Sequence, residues 1–364
     1  MLSTIAFIFV LSVLVIVHEF GHFIVAKLCK VRVEIFSIGF GQKLMGFKMQ
    51  DTEYRISMIP LGGYVKMSGD NPEEKRAGKS WEFLSKTIGQ RAAIIFAGPA
   101  FNYIIAFLLF SLVFFIGMPN STSKIGEVQD NYPAQQVGIQ KGDRVIAIDG
   151  QTVELWGELS DIIHSKISQQ EIVIEIQRNG QDMTLTVVPK VEKIKNLFGE
   201  DIKIGLIGIA PSDEVKIIRY GILKSIVLGA EQVLRLTQIT CLALYRMITG
   251  QMSLRESVTG PVGIFIITGH AAKLGFVYLL QIMSMLSVSL AIINLFPLPV
   301  LDGGHLLFLL FEKIKGKPMS VKVQEVAMRI GISILVALML FVFYNDFIRF
   351  GIIEKVVSFF QQTK

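Results

Sequence analysis

The chain has 364 residues, 51% of them hydrophobic and only 18% charged. That balance excludes a large soluble enzyme and indicates an integral membrane protein. The formal charge of +6 raises nucleic acid as a partner, yet no basic cluster is interleaved with aromatic residues as a binding face requires. Cys29 and Cys241 lie far apart and outside any CxxC or CxxH pair, so no disulfide framework or thiolate metal site follows from them.

A spanning helix needs about 20 mostly apolar residues. Residues 1–30 hold the first such run, Ile5–Leu28. Met1–Thr4 carries no positive charge and no small-residue cleavage site closes the run, so it reads as a retained span and not as a signal peptide. Residues 31–91 read as a cytoplasmic-side, β-rich, membrane-associated loop. VRVEIFSIGFG and EYRISMIPLGGYVKM alternate hairpin-fashion across 31–67, and WEFLSKTIGQR, with Trp81, reads as an interfacial helix. The second span fills 92–118. Residues 122–211 make a mixed α/β unit of a size usual for a small domain. In it KIGEVQ, DRVIAIDG, EIVIEIQRNGQ and MTLTVVP read as strands, ELWGELSDIIHSK as a helix, and Asn179–Gly180 as a tight turn.

Region 212–272 reads as an amphipathic helix and connector, because Lys224, Glu231, Arg235 and Arg246 leave one polar stripe on Tyr220–Ile248. A third span, Gly275–Leu295, lies in 273–310. The remainder, 311–364, is read as a cytoplasmic loop, a fourth span at Val326–Tyr344 and a C-terminal tail. The fold expected is an α-helical polytopic membrane protein of about four transmembrane helices, with a membrane-associated β-hairpin region and an inserted mixed α/β domain.

Charge sets the expected orientation. Lys27, Lys30, Arg32, Lys43, Lys48, Arg55, Lys66, Lys75, Arg76, Lys79, Lys86 and Arg91 accumulate between the first two spans, and Lys313, Lys315, Lys317 and Lys322 between the last two. Loops rich in Lys and Arg stay cytoplasmic. Both termini and the long middle region are therefore expected outside the cytoplasm.

Within the first span stands HEFGH. His18 and His22, four apart on one helix face, can reach one ion, and Glu19 beside them can serve as general base. Ionisable groups at that depth are costly and mark function. Catalytic zinc usually takes three protein ligands and leaves a fourth position to water. In INLFPLPVLDGGHLLF, residues 292–308, Pro297 and Pro299 break a helix just before Asp302, the candidate third ligand, with His305 as its rival.

These residues resemble the site-2 protease family of intramembrane zinc metalloproteases. HEFGH and NLFPLPVLDGGH match its two signatures, and GFG at 39–41, PLGGYVKM at 60–67, GPAFN at 98–102 and TGPVGI at 259–264 follow in family order. YPAQQVGIQKGDRVIAIDG at 132–150 looks like a PDZ domain, which points to the branch of regulator-of-sigma-E proteases in bacterial inner membranes. Well-known members of that branch carry two tandem PDZ domains, whereas this chain has room for one.

The resemblance implies Zn2+ held by His18, His22 and Asp302, and Glu19 activating water. It implies that Asn102 and Asn294 hold the substrate strand or the developing oxyanion, where a plainer reading is helix–helix hydrogen bonding. The implied substrates are single-span proteins in the lipid bilayer, such as an anti-sigma factor already cut by an upstream site-1 protease, or remnant signal peptides. No nucleic acid partner is implied. The hairpin at 31–67 could offer a strand edge to an unwound substrate, and the PDZ-like unit a peptide groove near Lys124–Val128 and Leu155–Lys166. A catalytically silent PDZ-bearing adaptor predicts decay of HExxH or LDG, and both are intact. A metal carrier predicts polar residues along several spans, and few occur. His164 and His270 show no partner for chemistry.

Overall fold

The computed structural model describes residues 1–71, 78–167, 170–196 and 200–351; Lys75, Arg76 and the tail 352–364 lie outside them. The chain divides into two compact units, Met1–Val113 with Ile222–Lys364, and Phe114–Gly221.

Helix α1 (Leu2–Leu28) is apolar along most of its length and ends where Lys30 turns left-handed, at φ 57°. Strands β1 (Val33–Met49) and β2 (Thr52–Met67) follow. They are longer and more folded than a plain hairpin. Met45 to Met49 pair back onto Ile56 to Thr52, while Ile35 to Ile38 lie between the two halves of β2, facing Glu53–Ile56 and Gly63–Lys66. Phe23 of α1 meets Phe36 and Tyr54 at ring-centroid distances of 5.2 and 5.9 Å. With Ala26, Val31, Val33 and Ile94 they bury the root of the sheet against α1 and α2. Its far end exposes Phe40, Leu44, Met45, Phe47, Met49 and Met58.

Helix α2 (Ile88–Ile116) starts earlier than 92. Thr87 and Gln90 cap it reciprocally: Gln90 N–H donates to Thr87 Oγ1, and Thr87 N–H to Gln90 Oε1, each at 3.2 Å. WEFLSKTIGQR is therefore not an interfacial helix. It holds only a 3-10 turn at Phe83–Ser85 before the extended Lys86, and its last five residues, Thr87–Arg91, are the cap and first turn of α2.

The second unit contains β3 (Met118–Ser121), β4 (Ile125–Val128), α3 (Pro133–Gln136), β5 (Arg144–Ile148), β6 (Gln151–Thr152), α4 (Trp156–Ser165), β7 (Ile172–Arg178), β8 (Gln181–Val187), β9 (Lys190–Lys195), β10 (Asp201–Leu206), β11 (Ile209–Pro211) and β12 (Val215–Ile218). Strands β6-β5-β7-β8 form one sheet, and β4 pairs with β11. On β7, Ile172, Ile174 and Ile176 face inward and join Ile125, Ile148, Leu159 and Ile207 in a core from which water is excluded. Removing such a side chain costs roughly 2–5 kcal/mol. Asn179 and Gly180 both take positive φ, 51° and 82°, the tight-turn geometry that reverses β7 into β8. A cavity of about 460 Å³ beside α4 is walled by Leu206–Pro211 and not by Lys124–Val128, because β11 stands between β4 and that helix.

Six further helices complete the described part of the first unit. They are α5 (Ile222–Ile248), α6 (Leu254–Ser257), α7 (Pro261–Leu274), α8 (Phe276–Asn294) and α9 (Asp302–Lys315), and α10 (Val321–Arg349) closes the described chain. Among the described residues, α1, α2, α5, α8 and α10 are long and apolar enough to cross a membrane, five where four were expected. The difference is α5: its polar stripe is real, but no charge lies between Arg235 and Arg246. Asp346 of α10, wholly buried, accepts the N–H groups of Gly260 (3.0 Å) and Gly263 (2.9 Å) and so caps α7.

In the second unit, burial pushes the Asp143 carboxyl up, but hydrogen bonds from Arg178 Nε (2.7 Å), Arg178 Nη2 (2.8 Å) and the Gln140 N–H outweigh it and hold it below the ordinary aspartate value. The stability this contributes is fully present above the unfolded aspartate pKa of about 3.9 and is lost as pH falls below it. Hydrogen exchange of the full chain in detergent should show protection at Val145 and Ile176 falling over that acid window, and a shallower fall in Asp143→Asn.

Candidate metal centre

His18 and His22 occupy successive turns of α1, both buried, with ring centroids 4.8 Å apart and planes at 86°. Their Nε2 atoms face each other at 3.2 Å. His22 Nδ1–H donates to the Ile94 carbonyl at 2.9 Å, which leaves the Nε2 lone pair turned toward His18. Asp302 closes the group: Oδ2 is 3.1 Å from His18 Nε2 and Oδ1 is 3.5 Å from His22 Nε2. One ligand atom from each residue lies within 4.8 Å of the others. Asn102 Oδ1 is a buried oxygen without a hydrogen-bond partner, and Asp302 Oδ2 is buried with the His18 imidazole beside it. Two imidazole nitrogens and a carboxylate, converging among largely buried side chains, are a donor set that fits a divalent cation.

Glycines make the convergence feasible. A Cβ on Gly98 of α2 would stand 2.3 Å from His22 Nε2 and 2.8 Å from His18 Cε1. A Cβ on Gly21 would stand 2.4 Å from the Ala97 carbonyl oxygen, so α1 and α2 cross at near backbone contact. Pro99, inside α2, removes the N–H that would have bonded the Ile95 carbonyl and loosens the turn whose Ile94 carbonyl takes His22. Asp302 is the first residue of α9, and the next two are Gly303 and Gly304. Their missing Cβ atoms would fall 2.2 Å from Leu295 O and 2.1 Å from Leu298 O, so the start of α9 nests on the loop that Pro297 and Pro299 shape.

Asn102 Nδ2 is 3.2 Å from His18 Nδ1, and Asn294 Nδ2, at the end of α8, is 3.4 Å from both ring nitrogens of His18. The structure thus brings His18, His22, Asp302, Asn102 and Asn294 together. Glu19 lies on the adjoining face of α1 against β2, where a Cβ on Gly63 would come 3.2 Å from its Cγ. His305 is not among the three residues whose donor atoms converge: it is exposed and edge-on to Phe308 at 6.2 Å. His270 is exposed on α7, and His164 stands 3.4 Å from Ser160 on α4. Sequence reasoning missed the Ile94 carbonyl, Gly21 as a contact point, and Ser287, whose Oγ donates to the Asn102 carbonyl at 2.8 Å. Small residues inside apolar helices were the available signal for Gly21 and Ser287.

Residues 6–338 match the family described as Peptidase family M50. The chain belongs to this family. The regulator of sigma-E protease RseP of Escherichia coli (strain K12) is 35% identical over 449 aligned positions, covering 94% of this chain and 98% of the relative. A Brucella suis protein bearing a zinc metalloprotease name is 36% identical over 360 positions, covering 94% of each. The longer alignment exceeds the 364 residues present here by the size of a small domain. The PDZ domain of an SdrC-like protein of Listeria monocytogenes is 25% identical and covers 26% of this chain and 90% of that structure, at a TM-score of 0.20. As an M50 member the chain is a membrane metalloprotease, in keeping with its long apolar helices.

Gly98→Ala tests the crowding at the imidazoles. The added methyl should displace both rings and weaken metal retention about 10–100-fold, read as metal left after dialysis against a chelator.

Proposed function

We propose that this M50 chain is a zinc-dependent endopeptidase that cuts single-span membrane proteins inside the bilayer. His18, His22 and Asp302 are its metal ligands and Glu19 its general base. The observation that carries the reading is the meeting of three donors from distant parts of the chain, two on the apolar helix α1 and one at the start of α9. Bound there, zinc supplies a Lewis acid for the scissile carbonyl. Glu19 takes a proton from the attacking water and returns it to the departing amine nitrogen. Asn102 and Asn294 hold the substrate strand or donate to the developing oxyanion.

A substrate helix in lipid conceals its peptide bonds in its own hydrogen bonds. The Gly63–Met67 edge of β2, running beside α1 at Glu19, offers replacements to an unwound strand. The exposed apolar end of the sheet suits a lipid surround. In the second unit, read as a PDZ domain, the cavity between β11 and α4 takes an extended peptide or free C-terminus and screens substrates until an upstream protease has trimmed them. Substrates of the anti-sigma-factor type and remnant signal peptides fit this order of cuts. Lys and Arg in the loop between α1 and α2 support placing the chain in a bacterial inner membrane with that loop cytoplasmic and the N-terminus and second unit outside the cytoplasm.

Reconstitution with a single-span test peptide decides the role of Glu19. Glu19→Gln should lower cleavage about 10²–10⁴-fold with bound zinc retained. Cleavage at the wild-type rate would rule Glu19 out as the base.

A further inference from the structure

We infer that the buried Arg91–Glu312 ion pair is a clasp that sets Asp302 against the two imidazoles. It is a positioning pair that acts through the helices carrying the ligands, and it rests on the metal-site reading above. Arg91 lies in the first turn of α2 and Glu312 in the third turn of α9. Nη1 donates to Oε2 at 3.1 Å and Nη2 to Oε1 at 2.6 Å, with side chains only 8% and 15% exposed. Two parallel bonds between planar groups fix orientation as well as distance.

Helix α2 is the frame that both ligand segments share. Ile94, three residues after Arg91, accepts His22 Nδ1–H, and Gly98, one turn further, lies against both imidazoles. The helix that carries the third ligand is joined to this same stretch by Glu312. The contacts of Gly303 and Gly304 are local, to the loop that leads into α9, and move with it. The clasp instead links residues 221 positions apart.

A cavity of about 960 Å³ flanks the pair, with Asp70, His305, Leu309, Met328 and Arg329 among its walls. Close packing is interrupted on that side, so contacts there do not fix the tilt of α9. Arg91 Nε is buried without a hydrogen-bond partner, so the guanidinium is oriented by Glu312. Loosening the clasp lets α9 tilt toward the cavity and draws Asp302 from the imidazoles.

The test uses the full chain in detergent with two readouts: zinc retained against a chelator, and cross-linking of metal-free H22C/D302C by a short dithiol-reactive reagent after Cys29 and Cys241 are replaced by Ser. R91Q and E312Q should release zinc about tenfold faster and at least halve the cross-linking yield. The reversed pair R91E/E312R should restore both. Unchanged release and cross-linking in the single variants would overturn the clasp, as would a folded reversed pair that restores neither. Should the single variants fail to fold, the reversed pair alone decides. If the wild type binds no zinc while cross-linking still follows the pair, the clasp stands and the metal reading falls.

Discussion

Two imidazoles and a carboxylate placed among apolar helices find no water in lipid to hydrate them, so each must be answered by protein or by an ion. The first unit is shaped around that demand. The Ile94 carbonyl takes one side of His22, and the amides of Asn102 and Asn294 flank His18. Asp302 Oδ2 has the His18 imidazole beside it at 3.1 Å. Helices must approach closely for such short side chains to meet, and closeness is what Gly21, Gly98, Gly303 and Gly304 provide. A donor set assembled this way is incomplete without a cation, which links the packing of the helices to the chemistry of the M50 family.

The same demand falls on backbone groups. Where α2 is loosened by Pro99, the carbonyl beside the break is used by His22, and where α7 begins, Asp346 takes its first N–H groups. The β1–β2 sheet satisfies itself by folding each strand back on the other. Its aromatic root, Phe23, Phe36 and Tyr54, grows directly from the helix that carries the histidines. That continuity brings the strand edge to Glu19 and ties the sheet to the site.

How much of this was legible beforehand depended on the range of the interaction. HEFGH could be read from four-residue spacing alone, because a helix brings His18 and His22 together by its own pitch. The spans could be read from apolar length, apart from α5, where a polar stripe and a long uncharged stretch share one helix. Asp302 could be singled out as a carboxylate at a helix break, but its preference over His305 leaned on family resemblance. The geometry separates the two because Asp302 brings a donor atom to the imidazoles while His305 stands edge-on to Phe308. The fourfold pairing of β1 and β2 was illegible, since register shifts inside a strand leave no trace in alternation. The β9–β10 pair carries little signal, since KVEKIK holds only Val191 and Ile194 as apolar residues. The Thr87–Gln90 capping box was present in the sequence and overlooked in favour of Trp81.

The central claim is that one divalent ion is gripped within the bilayer by His18, His22 and Asp302. X-ray absorption at the zinc edge on the purified chain addresses it directly. The account predicts two imidazole nitrogens at about 2.0–2.1 Å with oxygen completing the shell, and loss of that signal in Asp302→Ala. Sulfur in the shell, or an unchanged spectrum after Asp302 is removed, would contradict it.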